Sequence, residues 1–122
     1  MILGVGVDIT EVARIRAALE NARTGARFRA RVFTPDEVAY CARRRNGYES
    51  FAARFAAKEA MMKALGRAVG WREIEVTRGN GPPTIRLHGR AQSRAEALGI
   101  NHIHLSLSHT AEMAIAYVIA ES

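Results

Sequence analysis

The chain has 122 residues, 48% of them hydrophobic and 25% charged, with one cysteine and a formal net charge of +6. Those figures exclude long disorder, an internal disulfide framework and a cysteine-built zinc site, and they fit one domain over 1–122 with a single core. The apolar run from Met1 to Val7 is stopped by Asp8 and is too short for a signal-peptide core or a membrane span, so no membrane segment and a reducing, cytoplasmic location are expected.

Residues 2–9 alternate: Leu3, Val5, Val7 and Ile9 fall on one face, Ile2, Gly4, Gly6 and Asp8 on the other. This predicts a strand with one greasy face and one nearly bare face. The missing side chains at Gly4 and Gly6 admit a close approach, by a ligand or by a packed helix. Thr10 is placed to cap a helix over 11–23, with Val12, Ile15 and Leu19 on its apolar side. Thr34-Pro35-Asp36-Glu37 is a capping-box pattern and opens a helix over 35–45. An alanine-rich helix over 49–65 stops at Gly66. Strands over 72–78 and 84–88 are joined by the Gly79-Asn-Gly-Pro-Pro83 turn, and a helix over 89–98 ends at Gly99. The chain closes with a hairpin. Ile103, Leu105 and Leu107 alternate with His102, His104, Ser106 and Ser108, the turn is His109 to Glu112, and the return strand carries Met113, Ile115, Tyr117 and Ile119. Strands at both ends with helices between predict an α+β fold with a mainly antiparallel sheet.

The positive excess attracts anions of any kind: nucleic acid, phosphorylated small molecules, an acidic membrane face or an acidic protein. Specific spacings narrow the choice. In the 49–65 helix, Phe51, Phe55, Met62 and Leu65 form a stripe at about 100° per residue; Lys58 falls inside it and Glu59 at its edge. Glu59 and Lys63 are four apart and share a face, an ordinary surface pair by itself. Lys58 must leave the apolar stripe, either by snorkelling or into a phosphate-lined cleft. Asp8 ends an apolar strand. With Glu59 it could give a hard divalent cation the one or two carboxylates that Mg²⁺ takes beside phosphate and water, with Lys63 neutralising the phosphate. The histidines lack zinc spacing. Trp71 and Cys41 read as packing residues.

Four segments together resemble one family. Gly4-Val-Gly-Val-Asp8-Ile-Thr-Glu-Val-Ala-Arg14-Ile, Arg31-Val-Phe-Thr, Arg54-Phe-Ala-Ala-Lys58-Glu59-Ala-Met-Met-Lys63-Ala-Leu-Gly66 and Leu105-Ser-Leu-Ser108-His109-Thr110 resemble the holo-[acyl-carrier-protein] synthases, the small bacterial class of 4′-phosphopantetheinyl transferases. The resemblance implies that fold, a cytoplasmic role in fatty acid biosynthesis, and transfer of 4′-phosphopantetheine from coenzyme A to a serine of apo-acyl carrier protein, with release of adenosine 3′,5′-bisphosphate. By the same resemblance Asp8 and Glu59 hold Mg²⁺, and Asp8, Glu59 and Lys63 form the catalytic set. Arg54, Lys58, Lys63, Gly66, Ser108, His109 and Thr110 would meet coenzyme A. Arg14 would dock the acidic carrier protein, with Arg23 and Arg27 extending the basic stripe. The family implies a homotrimer with coenzyme A between subunits. The serine proton would pass to Glu59, to neutral Lys63 or to a water at the ion.

A rival reading is a nucleic-acid-binding module, suggested by the basic charge; it needs exposed aromatics for stacking, whereas only 7% of the residues are aromatic and Phe51 and Phe55 lie on the core stripe. No nucleic-acid partner is therefore expected. That rival also leaves the Asp8, Glu59 and Lys63 set without a purpose. A structural trimer without catalysis is a third reading.

Overall fold

The computed structural model describes residues 1–122. The elements in order are β1 (Ile2–Glu11), α1 (Val12–Glu20), α2 (Gly25–Val32), α3 (Pro35–Ala42), α4 (Gly47–Leu65), a 3₁₀ turn (Trp71–Glu73), β2 (Ile74–Thr77), β3 (Thr84–Leu87), α5 (Gly89–Leu98), β4 (His102–His109) and β5 (Met113–Glu121). The α+β expectation holds. A three-stranded antiparallel sheet runs β1-β5-β4, and β2-β3 form a separate antiparallel ribbon.

Helix α4 is the centre of the molecule. Of its 19 residues 13 are buried, so it is enclosed nearly all round rather than along one stripe. Six of the buried residues are alanines on the faces that meet β1, β5 and α1 (Ala52, Ala53, Ala56, Ala57, Ala60 and Ala64). Small side chains bring the helix axis close to its neighbours. The bare face of β1 completes this contact: a Cβ on Gly4 would collide with the Ala64 carbonyl oxygen, and one on Gly6 with that of Ala60. The two glycines therefore seat a helix. Ala116, Val118 and Ala120 of β5 close the same core from beside β1.

This seating turns the greasy face of β1 outward. Leu3, Val5, Val7 and Ile9 stand with Met113, Ile115 and Tyr117 of β5 at 37–60% exposure. The register lines them in rows: Val7 faces Tyr117, which faces Ser106, and Ile9 faces Ile115, which faces Ser108. His104 lies on the same outer face, bonded to Glu121 at 2.7 Å.

Four local expectations change. β1 runs on to Glu11, so Thr10 stays in the strand instead of capping; it is buried and donates to Asp8 Oδ2 at 3.2 Å. The predicted helix over 11–23 stops at Glu20, because Asn21 accepts the Arg23 and Thr24 N–H groups and makes a turn. Helix α2 is an element the sequence pattern does not predict; its one fully buried apolar side chain is Val32, in the cluster around Phe33 and Phe51, with Phe28 half-buried against it. The helix predicted over 35–45 ends at Ala42, with its capping box formed as expected: Glu37 N–H donates to Thr34 Oγ1 at 3.2 Å and Thr34 N–H to Glu37 Oε1 at 3.0 Å.

Candidate active site

Asp8 is even-numbered on β1, so it shares the inner face with Gly4 and Gly6 and points toward α4. Glu59 and Lys63 lie one helical turn apart on the flank of α4 that faces it. Lys63 Nζ donates to Asp8 Oδ1 at 3.1 Å and to the Val7 carbonyl at 2.9 Å. Asp8 is nearly enclosed and Lys63 half-exposed. Glu59 makes no hydrogen bond; desolvation, and then the negative charge of Asp8, push its carboxyl above the ordinary carboxylate range. Arg14 opposes that shift, which places its guanidinium within electrostatic reach of Glu59, and it lies 5.9 Å from the Phe55 ring. The sequence-predicted trio thus meets in space.

Two carboxylates that repel one another across a partly dry gap suit a bound cation. No third His, Cys, Asp or Glu side chain is placed to join them in holding a metal ion, so the pair would leave most positions around Mg²⁺ to phosphate and water oxygens, the usual arrangement for this ion. Asp8 and Glu59 fit the metal role on those grounds.

His109 lies elsewhere. It closes β4, two strands from β1 through β5, and its Nδ1 sits 3.6 Å from Glu49 Oε2 near the start of α4. Ten residues separate Glu49 from Glu59, about 15 Å along the helix. Within one subunit His109 therefore sits near the start of α4, while Glu59 and Lys63 with Asp8 lie along its second half. Thr110 holds the hairpin turn by accepting the Glu112 and Met113 N–H groups. Ser108 faces outward opposite Ile115, away from His109. Gly66 ends α4 at φ 68°, a left-handed conformation that favours glycine, with its N–H on the Lys63 carbonyl.

Lys58 corrects the sequence reading. It neither snorkels nor lines a phosphate cleft: its side chain is fully buried, paired with Glu37 Oε1 at 2.7 Å and donating to the Trp71 and Ile74 carbonyls. An ammonium so enclosed has no donor left for coenzyme A. Arg54 is also buried, with its guanidinium carbon 4.2 Å from the Tyr40 ring centre, but its Nε has no partner. It lines a cavity of about 270 Å³ with Arg43, Arg78 and Thr77, so an anion could still reach it. Arg14, Arg23 and Arg27 are exposed. Trp71 stacks on Phe55 at 4.9 Å, and burial pushes the Cys41 thiol up to about 11, so both are packing groups as expected. Sequence reasoning missed Glu37 and Glu49. Glu37 was legible only as a helix cap, and nothing in the spacing of Glu49 connects it to His109.

A family profile described as the 4′-phosphopantetheinyl transferase superfamily matches residues 4–118. The chain belongs to this superfamily. Holo-[acyl-carrier-protein] synthase of Solibacter usitatus is 48% identical over 127 residues and 100% of each chain. That of Micrococcus luteus is 52% identical over 126 residues, 99% of this chain and 93% of the relative. The solved holo-[acyl-carrier-protein] synthase of Neisseria meningitidis superposes with a TM-score of 0.85 at 32% identity over 100% of both chains. The Bacillus anthracis synthase, solved in complex with CoA (3′,5′-ADP), gives 0.80 at 33% identity over 100% of this chain and 98% of that one. The protein is accordingly an enzyme of the holo-[acyl-carrier-protein] synthase kind. No helix of this synthase is long and apolar enough to cross a membrane.

Proposed function

We propose that this synthase, in a Mg²⁺-dependent reaction, moves the 4′-phosphopantetheine arm of coenzyme A onto a serine hydroxyl of apo-acyl carrier protein and releases adenosine 3′,5′-bisphosphate. The serine oxygen bonds to the β-phosphorus, the bond from that phosphorus to the bridging oxygen breaks, and the leaving bisphosphate keeps that oxygen. The hydroxyl proton passes to a water at the site or to the Glu59 carboxylate. Such a transfer needs alignment and charge neutralisation more than covalent help. The observation that carries the proposal is the Asp8, Glu59 and Lys63 set: two repelling carboxylates on rigid elements with an ammonium beside them. Mg²⁺, when bound, supplies charge stabilisation at the leaving phosphate. Asp8 and Glu59 would hold it, and Lys63 orients Asp8 and offers its ammonium to the phosphates.

We further propose that the working form is a homotrimer with the coenzyme A site between subunits. Two features support it. On the outer face of the sheet, β1 and β5 present a continuous apolar surface in the single chain, of the kind that marks an interface, bordered by the polar residues of β4. The half-sites at Glu59 and at His109 stand too far apart in one chain to grip one diphosphate, so pairing one subunit's Glu59 with another's His109 completes the site. Arg54, Gly66, Ser108 and Thr110 are proposed to meet the nucleotide. The exposed Arg14 beside Glu59, with Arg23 and Arg27, would receive the acidic carrier protein next to the reacting phosphorus.

The test incubates the protein with coenzyme A and apo-acyl carrier protein, with Mg²⁺ or with a chelator. Mass spectrometry should show the phosphopantetheine adduct, and chromatography adenosine 3′,5′-bisphosphate, only when all three are present. Bisphosphate release that ignores the chelator would reject the metal role.

A further inference from the structure

Lys58 and Glu37 form the most enclosed ion pair in the molecule, and the transfer reaction gives them no direct part. Both side chains are fully buried. Lys58 Nζ has three acceptors, namely Glu37 Oε1, the Trp71 carbonyl and the Ile74 carbonyl, which matches its three N–H bonds. Glu37 in turn accepts Thr34 N–H at 3.0 Å on Oε1 and Val76 N–H at 2.9 Å on Oε2. Thr34 Oγ1 extends the set to Glu75 at 2.7 Å. The N-terminal cap of α3, the 3₁₀ turn and β2 are thus tied to one residue of α4.

Stability alone does not account for such a pair, because apolar residues of similar volume serve a core about as well. Direction does. The opposite side of α4 is alanine packed flush against Gly4 and Gly6, a smooth contact; Phe51, Phe55, Met61 and Leu65 grip the helix elsewhere by shape, and the ion pair adds three directional bonds to that grip. At about 100° per residue, Lys58 lies nearly opposite the Ala60 and Ala64 face, and Glu59 and Lys63 lie on the flank between. A rotation of about 20° would swing a carboxylate at about 6 Å from the helix axis by about 2 Å, against a tolerance of about 0.2 Å for a metal–oxygen distance.

We propose that Lys58 and Glu37 are positioning residues that lock the rotation of α4, so that Glu59 meets Asp8 at the separation a divalent cation requires. The proposal rests on the reading of Asp8 and Glu59 as the ion-holding pair. The experiment compares the whole protein with Lys58→Met/Glu37→Gln, in which the buried charges are replaced by neutral groups of similar size and the glutamine still offers an oxygen to Val76 N–H. Mn²⁺ alone is titrated by electron paramagnetic resonance, urea midpoints are measured, and kcat and KM for coenzyme A are determined separately. The double variant is expected to bind Mn²⁺ at least tenfold more weakly and to lose kcat by a similar factor, with KM for coenzyme A within about twofold of the original.

Ile15→Val, a buried change in α1 away from the pair, measures what lowered stability does by itself and should keep Mn²⁺ affinity. If the double variant does not fold, Thr34→Val decides the matter: it keeps both charges and the Thr34 N–H bond to Glu37 Oε1 but removes the hydroxyl that accepts Glu37 N–H and bonds Glu75, loosening the cap that seats Glu37, and it should weaken Mn²⁺ a few-fold. Mn²⁺ affinity within twofold of the original in the folded double variant, or in Thr34→Val where that variant decides, overturns the proposal. So does an equal loss in Ile15→Val. Asp8→Asn separates the two levels. If Asp8→Asn leaves Mn²⁺ binding unchanged, the ion-holding reading fails first and takes the positioning role with it.

Discussion

Gly6→Ala is the most stringent test of how the fold builds the site. The added Cβ would overlap the carbonyl oxygen of Ala60, whereas ordinary contacts begin near 3.4 Å. The obstacle is backbone in the middle of a buried helix, so no side chain can swing aside. Relief requires α4 and β1 to part by about 1.5 Å in an interior with few voids. Overpacking of this kind costs about 1–3 kcal/mol. With a urea slope of about 1–3 kcal/mol/M, the midpoint should fall by about 1 M. The same displacement pulls Glu59 and Lys63 away from Asp8, and a misplacement of about 1 Å at a reacting centre lowers turnover by about 100-fold. Equilibrium urea unfolding and steady-state transfer to apo-acyl carrier protein measure the two effects. Gly81→Ala is the control, since nothing lies within 4 Å of a Cβ there. If Gly6→Ala unfolds at the original midpoint and turns over normally, the flush contact of α4 on β1 is not what sets the site.

Four further outcomes are expected. Glu59→Gln should leave the fold intact and abolish transfer, because the shape survives while the cation loses a charged ligand; near-normal rates in limiting Mg²⁺ would remove the metal assignment. Arg14→Glu should weaken carrier-protein binding but not coenzyme A binding, and added salt should weaken the original complex, since exposed charges are screened beyond about 8–10 Å; equal loss of both ligands would argue for a misfolded site. Glu73 should show in the acid limb of stability: backbone N–H bonds from Arg90 and Gly70 hold its carboxyl below the ordinary range. Its contribution is complete above the usual carboxylate value and is lost as pH falls through the lowered one, so Glu73→Gln should flatten that limb in urea midpoints taken from pH 6 down to pH 3; an unchanged profile would count against it. Finally, Glu59→Gln and His109→Ala, each weak alone, should recover activity when refolded together as mixed trimers, and subunit exchange without recovery would place both groups in one chain.

Residues with strong local rules were legible from the sequence. The capping box at Thr34 to Glu37, the Gly66 and Gly99 stops and the 102–119 hairpin depend on turn chemistry and short periods, and they appear where expected. The Asp8, Glu59 and Lys63 set was legible because a strand-end carboxylate and an i,i+4 pair form a pattern in the chain. Tertiary structure decided what each element faces. The alternation in β1 predicts two faces but not which is inside; Gly4 and Gly6 are the buried side because only a surface without side chains can accept the backbone of an alanine-lined helix. The fate of Lys58 depended on Glu37, 21 residues away, and on two carbonyls that the helix pattern does not reveal. The separation of His109 from Glu59 followed from β5 lying between β1 and β4 and from the helical turns of α4 between Glu49 and Glu59, a distance set by packing between elements remote in the sequence.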